Sequence, residues 1–413
     1  MSPRALVLRW LPTALGTALL VSELPLVAVS AARSAEPALA LASLGIAMSV
    51  LVVVNAPALA LAGLVVVSTD VSNRRLIRHT VSVGMGGALV VAVLAGLPPV
   101  FAALTALLDL DAALAAELRW CLLVLVPNPL GVAIRRYLHG RLIAAHRTRP
   151  ILVATIARIA VSASLAWVAV AVVPQHGGAA GGLALTVGAL VEAALLGPVV
   201  RRIPRPAAGV RRLARRHARL TAPWLLNNLP ALVTTVGIAH AVAPGASLVV
   251  WPVVYQLALV FAGPVADWDT ITAGALREVP DHRAVRTATI WLTAAFGGVF
   301  AVVVLSGAGG YYVRDVAAVP PTPATLGLAW LWLLVPVPAL WVLRGALRGL
   351  AMAAERHTRL VTAAAAHLLL LATTAGVLGA TPLPGVAVGA VAVVVGVAVE
   401  VLVLSGGARP ALG

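Results

Sequence analysis

Apolar runs of about twenty residues recur along the whole chain, each closed by arginines or by clusters of Gly and Pro. They lie near 11–31, 38–66, 81–104, 118–137, 151–173, 181–200, 220–242, 246–270, 287–305, 326–345, 360–379 and 385–405. A bilayer core about 30 Å thick is crossed by roughly 20 residues of helix. The pattern therefore predicts an all-α polytopic membrane protein with twelve transmembrane helices. The first run also has signal-peptide features, with Arg4 and Arg9 ahead of it and small residues around Ala28 to Ala32. The internal repeat needs it as a span.

That repeat is the most informative property of the sequence. Leu125-Val-Pro-Asn-Pro-Leu130 is followed by Gly140-Arg-Leu-Ile-Ala-Ala145 and Thr148-Arg149. At an offset of 209 or 210, Leu334-Val-Pro-Val-Pro-Ala339 is followed by Gly349-Leu-Ala-Met-Ala-Ala354 and Thr358-Arg359. Glu23-Leu-Pro25 matches Asn228-Leu-Pro230, Asn55-Ala-Pro57 matches Ala262-Gly-Pro264, and 182–192 matches 390–400. Six spans are duplicated. Because six is even, both copies enter from the same side, so the expected repeats are parallel, related by a pseudo-twofold axis along the membrane normal with a cavity between them. The expected organisation is an N-lobe over 1–200, a basic linker over 201–219 and a C-lobe over 220–413.

Composition sharpens this picture. With 413 residues, 61% apolar, 11% charged and a mean hydropathy of +1.02, the chain is not a water-soluble globule. Cys121 is the only cysteine, which excludes a disulfide scaffold and a thiolate metal cage. The net charge of +16 comes entirely from arginine, and its placement explains it without nucleic acid. All arginines except Arg33, Arg119, Arg158 and Arg314 fall at the N-terminus, in or beside alternate loops, or in the C-terminal tail. By the positive-inside rule both termini are expected in the cytoplasm, in a multi-pass protein of the cell membrane. The richest loop, 201–219, reads as an orientation signal, with a lipid or nucleotide regulatory site as the alternative.

The two-times-six arrangement resembles the multidrug/oligosaccharidyl-lipid/polysaccharide (MOP) flippase superfamily, which contains the multidrug and toxic-compound extrusion (MATE) pumps. The most specific stretch is Arg135 to Arg158 (RRYLHGRLIAAHRTRPILVATIAR), which is similar to the hairpin between spans four and five of bacterial MATE-like proteins. Phe261-Ala-Gly-Pro-Val-Ala-Asp267, Gly310-Tyr-Tyr-Val313 and Val335-Pro-Val-Pro338 are similar to motifs of the progressive-ankylosis branch, although the first lies in the other half there. The resemblance implies two six-helix lobes that alternate between inward- and outward-facing states. It also implies a proton or sodium gradient as the driving force, with no cofactor.

Ionisable side chains inside hydrocarbon cost roughly 2.5–3.5 kcal/mol each, so each one here needs a reason. Glu23 lies mid-span, two residues before Pro25, where a missing backbone donor loosens the helix. The resemblance gives Glu23 the role of proton-coupling carboxylate, with Asn55 as a hydrogen-bond partner; a cation contact and a structural carboxyl are the alternatives. Its repeat mate Asn228, beside Asn227, cannot titrate, and both are candidates for substrate contact or interhelical bonding. Arg158 and Glu192 sit at matching depth, as do His367 and Glu400, and are expected to form structural ion pairs within the two hairpins; a relay through His367 is the alternative. Asp267 and Asp269 are expected to face Arg277 or Arg283. His240 reads as a packed or interfacial side chain.

No Gly-rich phosphate loop ending in Lys, no His-Glu-x-x-His and no Cys/His metal spacing occurs, so no enzyme is expected. The Asp109/Asp111 pair is only a weak imitation of a lipid-sugar glycosyltransferase site. The expected function is secondary export of a small amphipathic, cationic solute by a monomer, with the lipid bilayer as surroundings. Flipping of a lipid-linked saccharide is the alternative, and a non-transporting scaffold the third reading.

Overall fold

The computed structural model describes residues 2–68, 72–145, 147, 149–201, 203, 213–279 and 281–406; most of the basic linker, 204–212, lies outside them. The described residues are helical almost throughout, with a single isolated bridge between Val242 and Pro384. In chain order the helices are α1 (Pro3–Ala31), α2 (Pro37–Val54), α3 (Ala56–Val67), α4 (Asn73–Gly96), α5 (Pro98–Leu107), α6 (Ala112–Leu125), α7 (Asn128–Ala144), α8 (Arg149–Val172) and α9 (Gly177–Arg201). They continue as α10 (Leu213–Ala239), α11 (Pro244–Ala262), α12 (Trp268–Glu278), α13 (His282–Leu305), α14 (Ala308–Tyr311), α15 (Pro321–Trp330), α16 (Pro336–Ala353), α17 (His357–Gly379) and α18 (Gly385–Ser405).

Eleven helical segments among the described residues are long and apolar enough to cross a membrane. α10 occupies the place of the seventh predicted span and is not among them. Arg215, Arg216 and Arg219 in its first turns, and Asn227 and Asn228 in its middle, dilute its apolar content. The third span begins earlier than the apolar pattern suggests: α4 starts at Asn73 and closes at Leu97, which is extended because Pro98 follows it.

Four spans are broken, and prolines mark each break. Asn55 separates α2 from α3 ahead of Pro57, and a short 3-10 turn over Gly263–Val265 separates α11 from α12. Pro127 and Pro129 stand where α6 gives way to α7, and Pro336 and Pro338 open α16 after a 3-10 turn over Leu331–Leu334. A proline ring removes one backbone donor and crowds the preceding turn, so each position is a natural place to interrupt a helix.

The chain forms two compact units: Leu26–Leu232, and Met1–Pro25 together with Val233–Gly413. The boundaries differ from the lobes read off the sequence. The first 25 residues pack with the second half, and α10 packs with the first half as far as Leu232. The division falls directly after Pro25 and two residues after Pro230, the matched prolines of the repeat.

Each unit shows the same internal plan. In the first, α7 is central, touching α3, α4 and α9, while α8 lies on α9. In the second, α16 is central, touching α12, α13 and α18, while α17 lies on α18. Each unit also receives the start of the other repeat's first helix at an equivalent place. In the second unit Leu6, Trp10 and Ala14 join the apolar core of Val265, Trp268 and Leu276, and Trp10 donates its indole N–H to the Pro264 carbonyl at 3.1 Å. In the first, Leu213 and Leu220 pack against the core around Leu61 and Leu64, and His217 Nε2 pairs with the Pro57 carbonyl at 2.9 Å. Trp10 and His217, like Pro57 and Pro264, are 207 residues apart.

One close helix approach is also duplicated. A Cβ on Gly140 would lie 2.7 Å from both the Ala62 carbonyl oxygen and Val65 Cβ on α3; on Gly349 it would lie 2.6 Å from the Asp269 carbonyl oxygen and Thr272 Cβ on α12. Backbone atoms cannot rotate away as a side chain does. Gly140→Ala and Gly349→Ala are each expected to cost about 1–3 kcal/mol through overpacking. Loss of monodisperse protein after graded heating in detergent measures this, and unchanged melting would show that the helices part freely.

Candidate functional site

The most highly charged buried region of the first unit centres on Glu192 of α9, whose side chain is fully buried. Arg135 Nη1 of α7 and Arg158 Nη1 of α8 both donate to its Oε2, each at 3.2 Å. Its Oε1 accepts from the Thr155 hydroxyl at 3.1 Å and pairs with His139 Nε2 at 2.9 Å. One carboxylate thus ties together three helices. Helix geometry explains the spacing, since Arg135 and His139 are one turn apart on the same face of α7.

The second unit builds the same cluster around Glu400 of α18. Arg344 Nε of α16 forms an ion pair with Glu400 Oε2 at 2.8 Å, and His367 Nδ1 of α17 shares that oxygen at 2.8 Å. Arg348 Nη1, one turn beyond Arg344, donates to Oε1 at 3.0 Å. Arg348 Nε also lies 3.7 Å from Asp269 on α12. The His367 ring packs on Gly396: a Cβ there would sit 2.6 Å from its Cδ2.

The four residues expected as hairpin ion pairs, Arg158 with Glu192 and His367 with Glu400, are thus in contact. The clusters are larger than a hairpin, however. Arg135, His139, Arg344 and Arg348 stand where an apolar run meets a basic loop, so topology alone accounts for them, and Thr155 carries no charge to mark it. Their spacing held the signal: Arg135 and His139 recur as Arg344 and Arg348 at the repeat offset of 209.

The remaining candidates are placed separately. Glu23 is buried, at 3% exposure, and with Pro25 lies within the continuous helix α1. Asn55 donates from Nδ2 to Asn128 Oδ1 at 3.2 Å, joining the break in span two to the break in span four. Asn227 is exposed and Asn228 half-buried on α10. Asp267 accepts from the Thr17 hydroxyl at 2.9 Å and Asp269 faces Arg348, not Arg277, whose guanidinium donates to the Met352 carbonyl. His240 is exposed at the end of α10.

The Asp109/Asp111 pair also has a structural account. Asp111 caps α6, accepting from the Leu114 N–H at 2.8 Å, and Asp109 sits in a left-handed turn at φ 48°. Nearby, buried Glu117 accepts the N–H groups of Gly178 and Ala179 at the start of α9 and pairs with His176 at 2.8 Å. In the loop ahead of α13, Asp281 accepts the Ala284 N–H, which holds its carboxyl below the usual range. No three His, Cys, Asp or Glu side chains gather as a metal site among the described residues.

The fold as a whole matches known structures. A multidrug-resistance MATE family transporter of the MOP superfamily, in its inward-facing conformation, matches with a TM-score of 0.68 over 95% of this chain and 94% of its own, at 12% identity. This chain has the fold of MOP-superfamily transporters. The eukaryotic MATE transporter AtDTX14 matches with a TM-score of 0.66 at 17% identity, covering 98% and 96% of the two chains. The lipid II flippase MurJ, in an inward closed conformation, matches with a TM-score of 0.67 at 12% identity, covering 94% and 86%. No family model matches the sequence, and no curated protein does. At such low identity the MOP fold is shared while side chains are free to differ, so the charged clusters are argued from this chain alone.

Proposed function

We propose that this protein is a secondary active exporter of a small amphipathic, cationic solute, working as a monomer by alternating access in the cell membrane with both termini in the cytoplasm. The observation that supports this most is the likeness of a duplicated helical bundle, over nearly its whole length, to structures of multidrug transporters. Such repeats place a substrate path near the bilayer midplane, and kinked helices line it. The driving force in this reading is a proton gradient acting through Glu23.

Inside-out vesicles with an imposed proton gradient and a panel of fluorescent cations test the reading. Uptake that collapses on adding a protonophore is the expected result. Uptake that ignores the protonophore but needs a sodium gradient would move the coupling to sodium. Uptake of no cation would overturn the exporter and favour the second reading, a flippase for a lipid-linked saccharide, which the likeness to the lipid II flippase supports. That reading stands second because a pyrophosphate-bearing lipid calls for cations along its path, whereas Arg135, Arg158, Arg344 and Arg348 are engaged by Glu192 and Glu400. Identification of copurifying lipids would decide for it.

A further inference from the structure

The Glu192 and Glu400 clusters contain the same inventory, two arginines and one histidine around a buried glutamate, but the histidine has changed helix. On the central helix the residues are Arg135 and His139 in one unit and Arg344 and Arg348 in the other. On the helix that follows they are Arg158 and His367. Position 139 of the first copy corresponds to 348 of the second, and 158 to 367, both at an offset of 209. Histidine and arginine have therefore been exchanged between two positions that face the same carboxylate.

The bonding pattern survives the exchange. In the first cluster Arg135 and Arg158 share one carboxylate oxygen and His139 takes the other. In the second, Arg344 and His367 share one oxygen and Arg348 takes the other. The neighbouring helix has changed in step. Gly140 and Gly349 seat against the backbone carbonyls of Ala62 and Asp269 respectively, which makes these two residues structural equivalents. Where the central helix carries Arg348 its neighbour carries a carboxylate 3.7 Å away; where it carries His139 the neighbour carries Ala62.

We infer that these residues form two copies of one lock, whose histidine and arginine are interchangeable only as a set, and that the lock holds the last three spans of each repeat as a single block. Glu192, with side chains from α7, α8 and α9 around it, and Glu400, with α16, α17 and α18, are its centres. Arg135, His139 and Arg158, and Arg344, Arg348 and His367, are positioning residues in this sense. A buried ion pair contributes little net stability but specifies one arrangement, because any single missing partner leaves a charge stranded. Arg135 and Arg158 already set two guanidinium charges against one carboxylate, so a third arginine would add positive charge with no further carboxylate beside it, and a second histidine in place of Arg158 would remove one of the two guanidinium donors to Glu192 Oε2.

A mutant cycle on the full-length protein in detergent tests this, read as the melting temperature of monodisperse protein. His139→Arg and Arg158→His are each expected to lower it by about 5 °C or more. The double variant, which rebuilds the second unit's order in the first, is expected to recover more than half of the summed loss. Adding Ala62→Asp to the double variant is expected to raise the melting temperature further, whereas in the wild-type background it lowers it. Where a single variant yields no folded protein, recovery of monodisperse protein by the second exchange is the same readout. A double variant no more stable than the worse single variant, or one that fails to restore folding, overturns the inference. The readout needs no substrate, so its failure is separable from failure of the transporter reading.

Discussion

Glu192→Gln is expected to destabilise the first unit by about 3–5 kcal/mol, the range for removing one member of a buried ion pair. The magnitude follows from what stays behind. Arg135 and Arg158 are at most 10% exposed and both point at one oxygen of that carboxylate. Glutamine keeps the size and one carbonyl acceptor but carries no charge. The two guanidinium groups would then share a neutral oxygen in a poorly hydrated site, where each uncompensated ion costs several kcal/mol. Graded heating followed by fluorescence-detected size exclusion would show this as a fall of several degrees in melting temperature.

The same physics predicts an asymmetry. Replacing Glu192, Arg135 and Arg158 together by methionine is expected to cost less than Glu192→Gln alone, because no charge is stranded and the apolar chains fill the space. A loss below about 1 kcal/mol for Glu192→Gln would mean that both arginines reach water or lipid headgroups on their own, as exposed pairs do. Glu400→Gln should lose more than its counterpart only if Asp269 fails to hold Arg348 in its absence.

How much of this was legible in the sequence depends on the kind of signal. Glu192 and Glu400 stood out because a carboxylate in an apolar run is costly and therefore conspicuous. Arg135, His139, Arg344 and Arg348 did not, because they lie where an apolar run meets a basic loop, and there topology accounts for arginine equally well. The recurrence at an offset of 209 marks these positions, and the contacts around each glutamate then separate the two roles. The breaks at Pro57, Pro127, Pro264 and Pro336 were only half legible: proline marks a place where a helix can be interrupted, but Pro12, Pro25, Pro198, Pro223, Pro230 and Pro252 lie inside continuous helices, so packing decides which prolines become breaks.

That the start of each repeat's first helix packs with the other repeat was not legible, for a different reason. Apolar periodicity reports that a helix is buried, not against which neighbour. Leu6, Trp10 and Ala14 would satisfy many partners; what selects Val265 and Trp268 is shape and one indole bond to the Pro264 carbonyl. The matching bond from His217 to Pro57 uses a different ring, so no alignment of identical residues reveals it. The repeat conserves the geometry of the contact while changing its chemistry, as it does with His139 and Arg348.

Glu23→Gln is expected to leave the fold intact and to abolish gradient-driven uptake. The argument starts from the cost of a charge in hydrocarbon, roughly 2.5–3.5 kcal/mol at the centre of a span. A carboxyl at 3% exposure, two residues from Pro25 on α1, serves coupling only by carrying a proton when dry and releasing it when hydrated. Glutamine matches its volume and hydrogen bonds but has no proton to release, so the variant is fixed in the loaded form. Uptake against a gradient should fall at least ~100-fold, equivalent to about 2.7 kcal/mol of lost driving interaction. The melting temperature should stay within about 2 °C of wild type, and downhill exchange of preloaded substrate should persist. A structural carboxyl gives the opposite pair of results: a lowered melting temperature with uptake per folded molecule unchanged. Asn228, the repeat mate, has no proton to give, so Asn228→Ala should leave sensitivity to a protonophore as it was. If that variant instead removes the sensitivity, coupling runs through α10 and the assignment to Glu23 fails.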